Sequence, residues 1–238
     1  MIRWEGAGPY TVAFSTRAGG VSTGPYESLN LGVMTADDPD RVAQNRRLLA
    51  GRVGIDPERA CMAWQQHGTD VLRAQPEGIV ALGERAQCDG WWSDEPGQGM
   101  LLLTADCLPV AIARRNGDRP ALAVLHVGWR GLLDGIIRNG VAVLGDGLLA
   151  AAIGPGIGPC CYEVHPDVAE PFEREFGPEV LPEGRLDLWR STELALRRAG
   201  VDEVERTDLC TFCHPELFFS HRRDRGTTGR QGVIAAVT

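Results

Sequence analysis

Three short apolar runs in the middle of the chain constrain the fold more than any other feature. They cover residues 100–104, 108–113 and 121–125, and their length and composition are typical of buried strands. The link between the first two runs, residues 105–107, is too short for a parallel crossover. The sequence therefore predicts a mixed sheet, in which some neighbouring strands are antiparallel.

Helical patterns around these runs favour an α/β or α+β sandwich. The best-marked helix starts at Asp38, a good N-cap residue followed by Pro39, and ends at Gly54. Apolar spacing predicts the remaining elements, at residues 10–15, 130–144, 149–153, 166–176, 188–199 and 232–237. No repeat, low-complexity tract or polar linker interrupts the sequence, so we expect a single domain over residues 1–238.

The charge balance and the cysteine content exclude several classes of protein. The net charge of −8 argues against a general nucleic-acid binder. All 24 basic residues are arginines, which excludes Schiff-base lysine chemistry and leaves guanidinium groups or backbone amides to bind anions. No apolar run approaches the roughly 20 residues of a membrane span, and the amino terminus lacks an apolar signal core. The seven cysteines, an odd number, then indicate reduced thiols and a cytoplasmic protein.

A Cys-x-x-Cys-His motif at residues 210–214 matches the spacing for covalent haem attachment. That chemistry normally requires export, which nothing in the sequence directs. A four-cysteine zinc ribbon would need a second Cys-x-x-Cys pair, and the adjacent Cys160 and Cys161 do not have that spacing. We therefore interpret Cys210 and Cys213 as a pair of cysteines in a partly buried turn.

A glycine-rich segment at residues 154–159 follows a predicted strand. Its Gly-x-Gly-x-Gly spacing, interrupted by prolines, does not match the dinucleotide-binding fingerprint. Its glycines favour either a tight turn or a close approach of the backbone to a ligand.

Ionisable residues at the ends of apolar strands are candidates for a functional site. Cys107 follows one such strand, His126 ends another, and His67 lies in the segment Gln65-Gln66-His67-Gly68. Two imidazoles and one thiolate would form a three-ligand zinc site with an open fourth position, the pattern of catalytic zinc. The alternative is that Cys107 is an inert core residue and that both histidines are satisfied by backbone hydrogen bonds.

An arginine-rich segment at residues 221–230 contrasts with the acidic remainder of the chain. Arg222, Arg223 and Arg230 are candidates for phosphate binding, because guanidinium groups match phosphate oxygens. Arg130, at a predicted helix start, could add a second anion contact. A solvated basic loop that balances nearby carboxylates is an equally good interpretation.

Eight segments together resemble the YfiH/laccase-domain family, which has also been called multicopper polyphenol oxidase and purine nucleoside phosphorylase. They span nearly the whole chain in the expected order, and Asn45-Arg46 on the first helix also fits the family pattern. The segments are residues 15–22, 28–32, 65–68, 104–109, 126–131, 153–158, 161–164 and 219–223. Gly156 and His221 depart from the pattern, since many members have Cys and Tyr there, and the second difference could alter substrate preference.

The resemblance implies an α/β sandwich related to toxin-type cysteine hydrolases, with one zinc ion held by His67, Cys107 and His126. It also implies phosphorolysis of adenosine, inosine, guanosine and S-methyl-5'-thioadenosine, together with adenosine deamination. Purine nucleosides and phosphate are then the expected partners of a protein that we expect to be monomeric. For deamination, zinc would activate a water molecule and Asp106 would move the proton, although Asp106 could equally orient a ligand.

Three alternatives stay open. Polyphenol oxidation by copper is disfavoured, because a multicopper oxidase needs many histidine ligands and this chain has five histidines. Cu²⁺ could nevertheless bind a His/His/Cys site. A cysteine hydrolase or amidase would use Cys107 as nucleophile and His126 as base. A zinc-binding interaction module would show no turnover at all.

Overall fold

The computed structural model describes residues 1–5, 8–81, 83–115 and 119–238, and these form a layered α/β structure. Its strands are β1 (Ile2–Arg3), β2 (Tyr10–Phe14), β3 (Cys61–Met62), β4 (Val71–Arg73), β5 (Gly90–Ser93), β6 (Gly99–Thr104), β7 (Leu108–Arg114), β8 (Leu122–Val127), β9 (Leu149–Ile153), β10 (Glu203–Arg206) and β11 (Gln231–Val237). Its α-helices are α1 (Pro39–Val53), α2 (Trp129–Asp134), α3 (Ile136–Ala142), α4 (Pro166–Phe176) and α5 (Leu188–Arg198).

The strands form two mixed sheets. One has the order β1-β2-β11-β6-β3 and the other the order β10-β9-β7-β8-β5-β4. In the first sheet, β11 lies antiparallel between β2 and β6, while β3 pairs parallel with β6. In the second, β7 lies antiparallel between β8 and β9, and β9 pairs parallel with β10.

Alternate residues of the central strands enter different apolar layers, as the two-residue period of a strand requires. On β11, Val233 and Ala235 pack between the two sheets, whereas Ile234 packs against α1. On β7, Val110 packs against the helices α2–α5, whereas Ala111 faces the other sheet. The order of layers is therefore helix, sheet, sheet and helices, and burial on both faces explains the continuous apolar runs in the sequence.

The structure confirms the predicted α/β sandwich with mixed sheet pairing, but the strands divide differently. The link at residues 105–107 does not join neighbours in one sheet, because β6 and β7 belong to different sheets. This link instead carries the chain from one sheet to the other. The prediction of mixed pairing was therefore right although the strand pair on which it rested was not. The single-domain organisation stays a prediction.

Most predicted helices agree with the structure. Helix α1 begins after Asp38, whose side chain accepts a hydrogen bond of 2.8 Å from the amide of Asp40, and it ends at Gly54. The helix predicted at 130–144 is wrong in one respect, because it is divided into α2 and α3 at Gly135. Gly135 has a φ of 103°, in the left-handed region that glycine adopts at low cost, so the chain changes direction there.

Within the described residues, none of the helices has both the length and the apolar character that crossing a membrane would require.

Candidate metal centre and substrate cavity

A cavity of about 420 Å³ lies beside the link between the two sheets. Its walls come from the end of β6, from residues 105–107 and from loops around residues 32–35, 63–67 and 221–230. Ligand sites in sandwich proteins commonly lie at such edges, where loops from several rigid strands meet.

Three metal-binding side chains meet at this cavity: His67, Cys107 and His126. Their ligand atoms all lie within 4.8 Å of one another, and Cys107 Sγ is 3.9 Å from His67 Nδ1. The two imidazole rings have centroids 4.8 Å apart. The fold thus brings together the three predicted ligands, which are far apart in the sequence.

The strand pattern explains how His126 reaches the site. Leu122 and Val124 on β8 pack between the two sheets, so His126, two residues further on, lies on the same face. The imidazole is nearly fully buried, with 4% of its surface exposed. Its position is therefore determined by a rigid central strand rather than by a loop.

Asp89 fixes both histidines, and the sequence analysis did not identify it. Its Oδ1 lies 2.7 Å from Nδ1 of His126 and accepts a hydrogen bond of 2.9 Å from the amide of His67. Its Oδ2 accepts hydrogen bonds from the amides of Gln66 and Gly68, at 2.9 and 2.7 Å. The available signal was its position directly before the strand β5, just as Cys107 lies directly before β7.

The backbone is strained at two points of the site. His67 has a φ of 57° and Asp106 a φ of 90°, values that residues other than glycine rarely adopt. Such conformations cost free energy and persist where surrounding contacts enforce them. Here the hydrogen bonds to Asp89 hold His67, and the carboxylate of Asp106 is itself held on both oxygens.

Cys107 and His126 are electrostatically coupled. Burial alone would raise the pKa of the Cys107 thiol, but the charge of His126 and hydrogen bonds with both histidines lower it to about 6. Burial alone would lower the pKa of His126, whereas the Cys107 thiolate and the Asp89 carboxylate raise it to about 9. In metal-free protein the pair is therefore a thiolate and an imidazolium at neutral pH.

The donor set could hold a metal ion. Zinc binds imidazole nitrogen and thiolate sulfur at about 2.0–2.3 Å, which requires donors about 3.5 Å apart, close to the separations here. Because Nδ1 of His126 contacts Asp89, Nε2 is the nitrogen of that ring that would face the metal. Three protein ligands beside a cavity match the catalytic pattern. The same donors also suit copper.

Asp106 lies at the cavity next to Cys107, but its carboxylate is engaged. Oδ1 accepts a hydrogen bond of 2.6 Å from Thr211 Oγ1, and Oδ2 accepts one of 2.7 Å from the amide of Arg222. These contacts favour the orienting role, while proton transfer by Asp106 stays a prediction.

Two of the predicted phosphate-binding arginines line the cavity, namely Arg222 and Arg230. The guanidinium group of Arg222 donates to the carbonyl of Glu163 at 2.9 Å, and that of Arg230 to the carbonyl of Gly229 at 2.9 Å. Both groups are therefore held by backbone contacts at the edge of the cavity.

Arg223 and Arg130 are not among the lining residues. Arg223 donates to the carbonyls of Thr211 and Phe218, at 2.7 and 3.0 Å, and pairs with Asp224. Arg130 is exposed, with its guanidinium carbon 4.8 Å from the ring centroid of Trp129. Phosphate binding by these two residues stays a prediction that their contacts do not support.

Arg46 is a second residue that sequence reasoning did not place at the site. It lies on α1, is 1% exposed and lines the cavity. Nε and Nη1 donate to the carbonyls of Leu31 and Ile79, both at 2.9 Å, whereas Nη2 has no hydrogen-bond partner among the described residues. Burial, followed by repulsion from Arg85, lowers the pKa of Arg46 to about 10, so the group stays charged at neutral pH.

Like Arg46, Thr104 at the end of β6 has a buried polar atom without a hydrogen-bond partner among the described residues. The residue lines the same cavity, and this buried atom is its Oγ1. A buried polar atom without a partner is costly, and a ligand that pairs with it recovers that cost. The signal for Arg46 was a charged residue among the apolar positions of a well-marked helix, which include Val42 and Leu49.

The glycine-rich segment packs against the protein rather than against a ligand. A Cβ on Gly154 would overlap the ring of Phe14, and one on Gly158 would overlap Trp189. At Gly156, where many family members have Cys, a Cβ would overlap Leu108 and lie 2.8 Å from the carbonyl oxygen of Asp106. The close approach predicted for these glycines is therefore to side chains of this chain.

The interpretation of the cysteine motif was incomplete. Cys210 and Cys213 do lie in a turn, but the fold places Cys160 and Cys161 beside them. The sulfur atoms of all four lie within 4.8 Å of one another. The spacing of Cys160 and Cys161 was therefore wrongly taken to exclude a four-cysteine cluster.

Comparison with known proteins gives one family over almost the whole chain. A family profile described as multi-copper polyphenol oxidoreductase laccase matches residues 11–238. The purine nucleoside phosphorylase YfiH of Escherichia coli (strain K12) is 38% identical over 224 residues, which cover 91% of this chain and 89% of that protein. The purine nucleoside phosphorylase YlmD of Geobacillus stearothermophilus is 36% identical over 252 residues, covering 94% and 90%.

Solved structures show the same fold. The crystal structure of YlmD from Geobacillus stearothermophilus superposes with a TM-score of 0.90 at 33% identity, covering 98% of this chain and 94% of that one. The Bacillus licheniformis hypothetical protein YfiH also superposes with a TM-score of 0.90, at 30% identity, covering 98% and 95%. The architecture described above is thus shared over the full length.

Proposed function

This chain belongs to the multi-copper polyphenol oxidoreductase laccase family, and on that premise we propose that it is a zinc-dependent purine nucleoside phosphorylase. Two relatives with 36–38% identity over most of the chain carry the name purine nucleoside phosphorylase, without mention of a metal. The proposed substrates are phosphate with adenosine, inosine, guanosine or S-methyl-5'-thioadenosine. Adenosine deamination is proposed as a second activity.

One observation carries the proposal. A single cavity is lined by Arg46, whose buried, charged guanidinium group has no partner at Nη2 among the described residues, and by the His67/Cys107/His126 donor group. Arg230 and Arg222 contribute further positive charge to the same walls. An anion-binding group and an electrophilic centre in one cavity are what transfer of a sugar to phosphate requires.

In the proposed reaction, a phosphate oxygen attacks the anomeric carbon of the sugar while the bond to the purine nitrogen breaks. The electron pair of that bond leaves with the purine, which takes up a proton, and ribose 1-phosphate is formed. Arg46 Nη2 donates to a phosphate oxygen, and Arg230 adds positive charge that orients the nucleophile. Thr104 Oγ1 offers a further hydrogen bond to the bound substrate.

His67, Cys107 and His126 would hold the zinc ion, and copper is the alternative occupant of the same donors. When bound, the ion supplies a Lewis acid that stabilises negative charge on the leaving base. Asp89 keeps the tautomer and the orientation of His126 suited to that task. Asp106 holds the loop beside Cys107 through Thr211 and the amide of Arg222.

The test is to incubate metal-characterised protein with inosine and phosphate and to measure products by chromatography. We expect hypoxanthine and ribose 1-phosphate in equal amounts, with no hypoxanthine when phosphate is omitted. Cys107→Ala should abolish the reaction while the far-ultraviolet circular dichroism stays unchanged. Absence of turnover by zinc-loaded protein with all four nucleosides would overturn the proposal and favour a zinc-binding interaction module.

A cysteine hydrolase is a second candidate, because Cys107, His126 and Asp89 are arranged as nucleophile, base and orienting carboxylate. The two candidates differ in what metal does to activity. If chelated protein hydrolyses amides and added zinc inhibits it, the hydrolase is correct. Polyphenol oxidation is not proposed, because the chain's five histidines are too few for the copper centres of such enzymes.

A further inference from the structure

A group of four cysteines, here called the cysteine cluster, lies outside the metal centre at the cavity. It consists of Cys160, Cys161, Cys210 and Cys213, whose sulfur atoms are all within 4.8 Å of one another. We propose that the cysteine cluster binds a second zinc ion, with a structural role. This inference goes beyond the proposed function and does not rest on it.

The sulfur separations fit a tetrahedral zinc ion. Cys213 Sγ lies 3.5 Å from Cys160 Sγ and 3.4 Å from Cys161 Sγ. Zinc–sulfur bonds of about 2.3 Å place the four sulfurs of a tetrahedral site about 3.8 Å apart. A disulfide would require about 2.05 Å. Side chains already gathered at these separations need only small adjustments to enclose one ion.

The backbone holds the ligands from two different segments of the chain. Gly156 and Cys210 form a parallel bridge, in which the amide of Thr211 donates to the carbonyl of Gly156 at 3.1 Å. The amide of Gly158 donates to Cys210 Sγ at 3.3 Å. Amide hydrogen bonds to sulfur stabilise thiolates and orient them as metal ligands. The site is therefore preorganised by contacts that do not depend on the ion.

The ligand set and its exposure indicate the kind of ion. Four cysteines occupy every position of a tetrahedral site, which is the closed pattern of structural rather than catalytic zinc. Thiolates select zinc over magnesium, calcium and manganese. Cys210 is buried whereas Cys160 and Cys213 are exposed, so an ion can enter from the surface.

The cysteine cluster would join two segments that form one wall of the cavity. Ile157 and Tyr162 flank Cys160 and Cys161 and line the cavity. On the other segment, Thr211 holds the carboxylate of Asp106 at 2.6 Å. A bound ion would stabilise this wall without touching substrate, so its ligands are positioning residues.

The test compares metal content in three proteins purified with reductant and without added metal. We expect about two zinc ions per chain in the wild type and one in Cys107→Ala, which lacks a ligand of the other centre. The double variant Cys160→Ser/Cys213→Ser should also retain one, and both of its substituted residues are exposed, which favours folding. Its melting temperature should fall below that of the wild type.

Cobalt substitution identifies the ligands independently of any activity. In Cys107→Ala protein loaded with Co²⁺, four thiolates should give an intense sulfur-to-cobalt absorption band, and the additional Cys160→Ser/Cys213→Ser changes should abolish it. Zinc-free Cys107→Ala protein would overturn the proposal. So would a disulfide between Cys213 and either neighbour in anaerobically purified protein. Those outcomes leave the phosphorylase proposal intact, since it depends on the other centre.

Discussion

Single residues outside the donor group decide how well this site can hold a metal, and Asp89 is the clearest case. Its carboxylate accepts hydrogen bonds from three consecutive amides and contacts Nδ1 of His126. Burial alone would raise its pKa, but the hydrogen bonds from His126 and from the amides lower it, so the group is ionised when the histidines are in place. One side chain thus orients ligands from two distant segments.

Asp89→Asn should therefore weaken metal binding without removing a ligand. An amide cannot accept all of these hydrogen bonds, so we expect the metal affinity to fall about 10–100-fold. Competition with a zinc chelator measures this. Asp94→Asn is the matched control, because its carboxylate pairs with Arg73 near the surface, at 2.6 Å, and the metal affinity of this variant should be unchanged. Equal affinities for the two variants would show that Asp89 has no such role.

The prediction for phosphate binding concerns Arg46. Arg46→Lys keeps a positive charge but loses the forked donor geometry, and we expect the KM for phosphate to rise about tenfold or more. The kcat at saturating phosphate should fall much less. Arg47→Lys, at the neighbouring exposed position of α1, should leave both constants unchanged. An unchanged KM in folded Arg46→Lys protein would contradict phosphate binding by this residue.

Cys107 should show a pH-dependent reactivity that metal suppresses. In chelated protein, iodoacetamide should alkylate it rapidly at neutral pH and slowly below a pH of about 6, because the reactive thiolate there takes up a proton and becomes the unreactive thiol. Zinc should protect it, because the sulfur lone pair is then committed to the metal. Cys88 is an internal control, since burial raises its pKa to about 12. Mass spectrometry of alkylated peptides gives both rates, and equal rates with and without zinc would exclude Cys107 as a ligand.

At the scale of elements, the start of α2 is fitted to the metal centre. Gly128 is the N-cap of α2, and a Cβ there would lie 2.9 Å from His67 Nδ1 and 3.2 Å from Cys107 Sγ. The start of α2, the loop that carries His67 and the link that carries Cys107 therefore come close together at Gly128, which has no side chain. Gly131 in the next turn is similarly close, with a Cβ 2.7 Å from the carbonyl of Gly68.

Gly128→Ala should displace the ligands and lower the zinc content while the helix content measured by circular dichroism is retained. Gly51→Ala is the matched control, because a Cβ at that position of α1 meets nothing within 4 Å. It should stabilise the protein by about 0.4–1 kcal/mol, measured by denaturant unfolding, and leave zinc content unchanged. Full zinc occupancy in Gly128→Ala protein would show that the close approach is not required.

The sequence predicted elements well where a local signal was complete. The cap at Asp38 and the stop at Gly54 gave the bounds of α1, because both effects act within one turn of the helix. The apolar spacing predicted one helix where the structure has α2 and α3. The spacing continues in phase across Gly135 and gives no sign that the chain changes direction there. Pairing partners were harder still, since a three-residue link could join two strands of one sheet or two sheets.

At the scale of the whole molecule, the three residues of the metal centre could be predicted from the sequence, but the residues that surround them and hold them in position could not. His67, Cys107 and His126 follow from residue type and from the family resemblance. Local signals mark Asp89 and Arg46 as unusual, but the roles of these residues and of the cysteine cluster depend on contacts between distant segments, which a local pattern does not encode. The cytoplasmic location and the monomeric state stay predictions.

The central strand β11 should be essential to this architecture. Every residue of β11 is buried, and it pairs on one side with β2 and on the other with β6. Deletion of residues 231–238 should leave one edge of β2 and one edge of β6 unpaired and abolish cooperative thermal unfolding in calorimetry. Deletion of Thr238 alone, which is exposed, should preserve the transition. A cooperative transition in the longer deletion would show that β2 and β6 can pair without it.

The position of β11 also determines the order of events during synthesis. A ribosome produces β2 and β6 long before the strand that lies between them, so this sheet cannot close until β11 has been made. Both strands meanwhile present open edges, which attract other extended chains. The second sheet takes its strands from residues 71–206 and can assemble earlier. We therefore expect the newborn protein to depend on chaperone protection until β11 has left the exit tunnel.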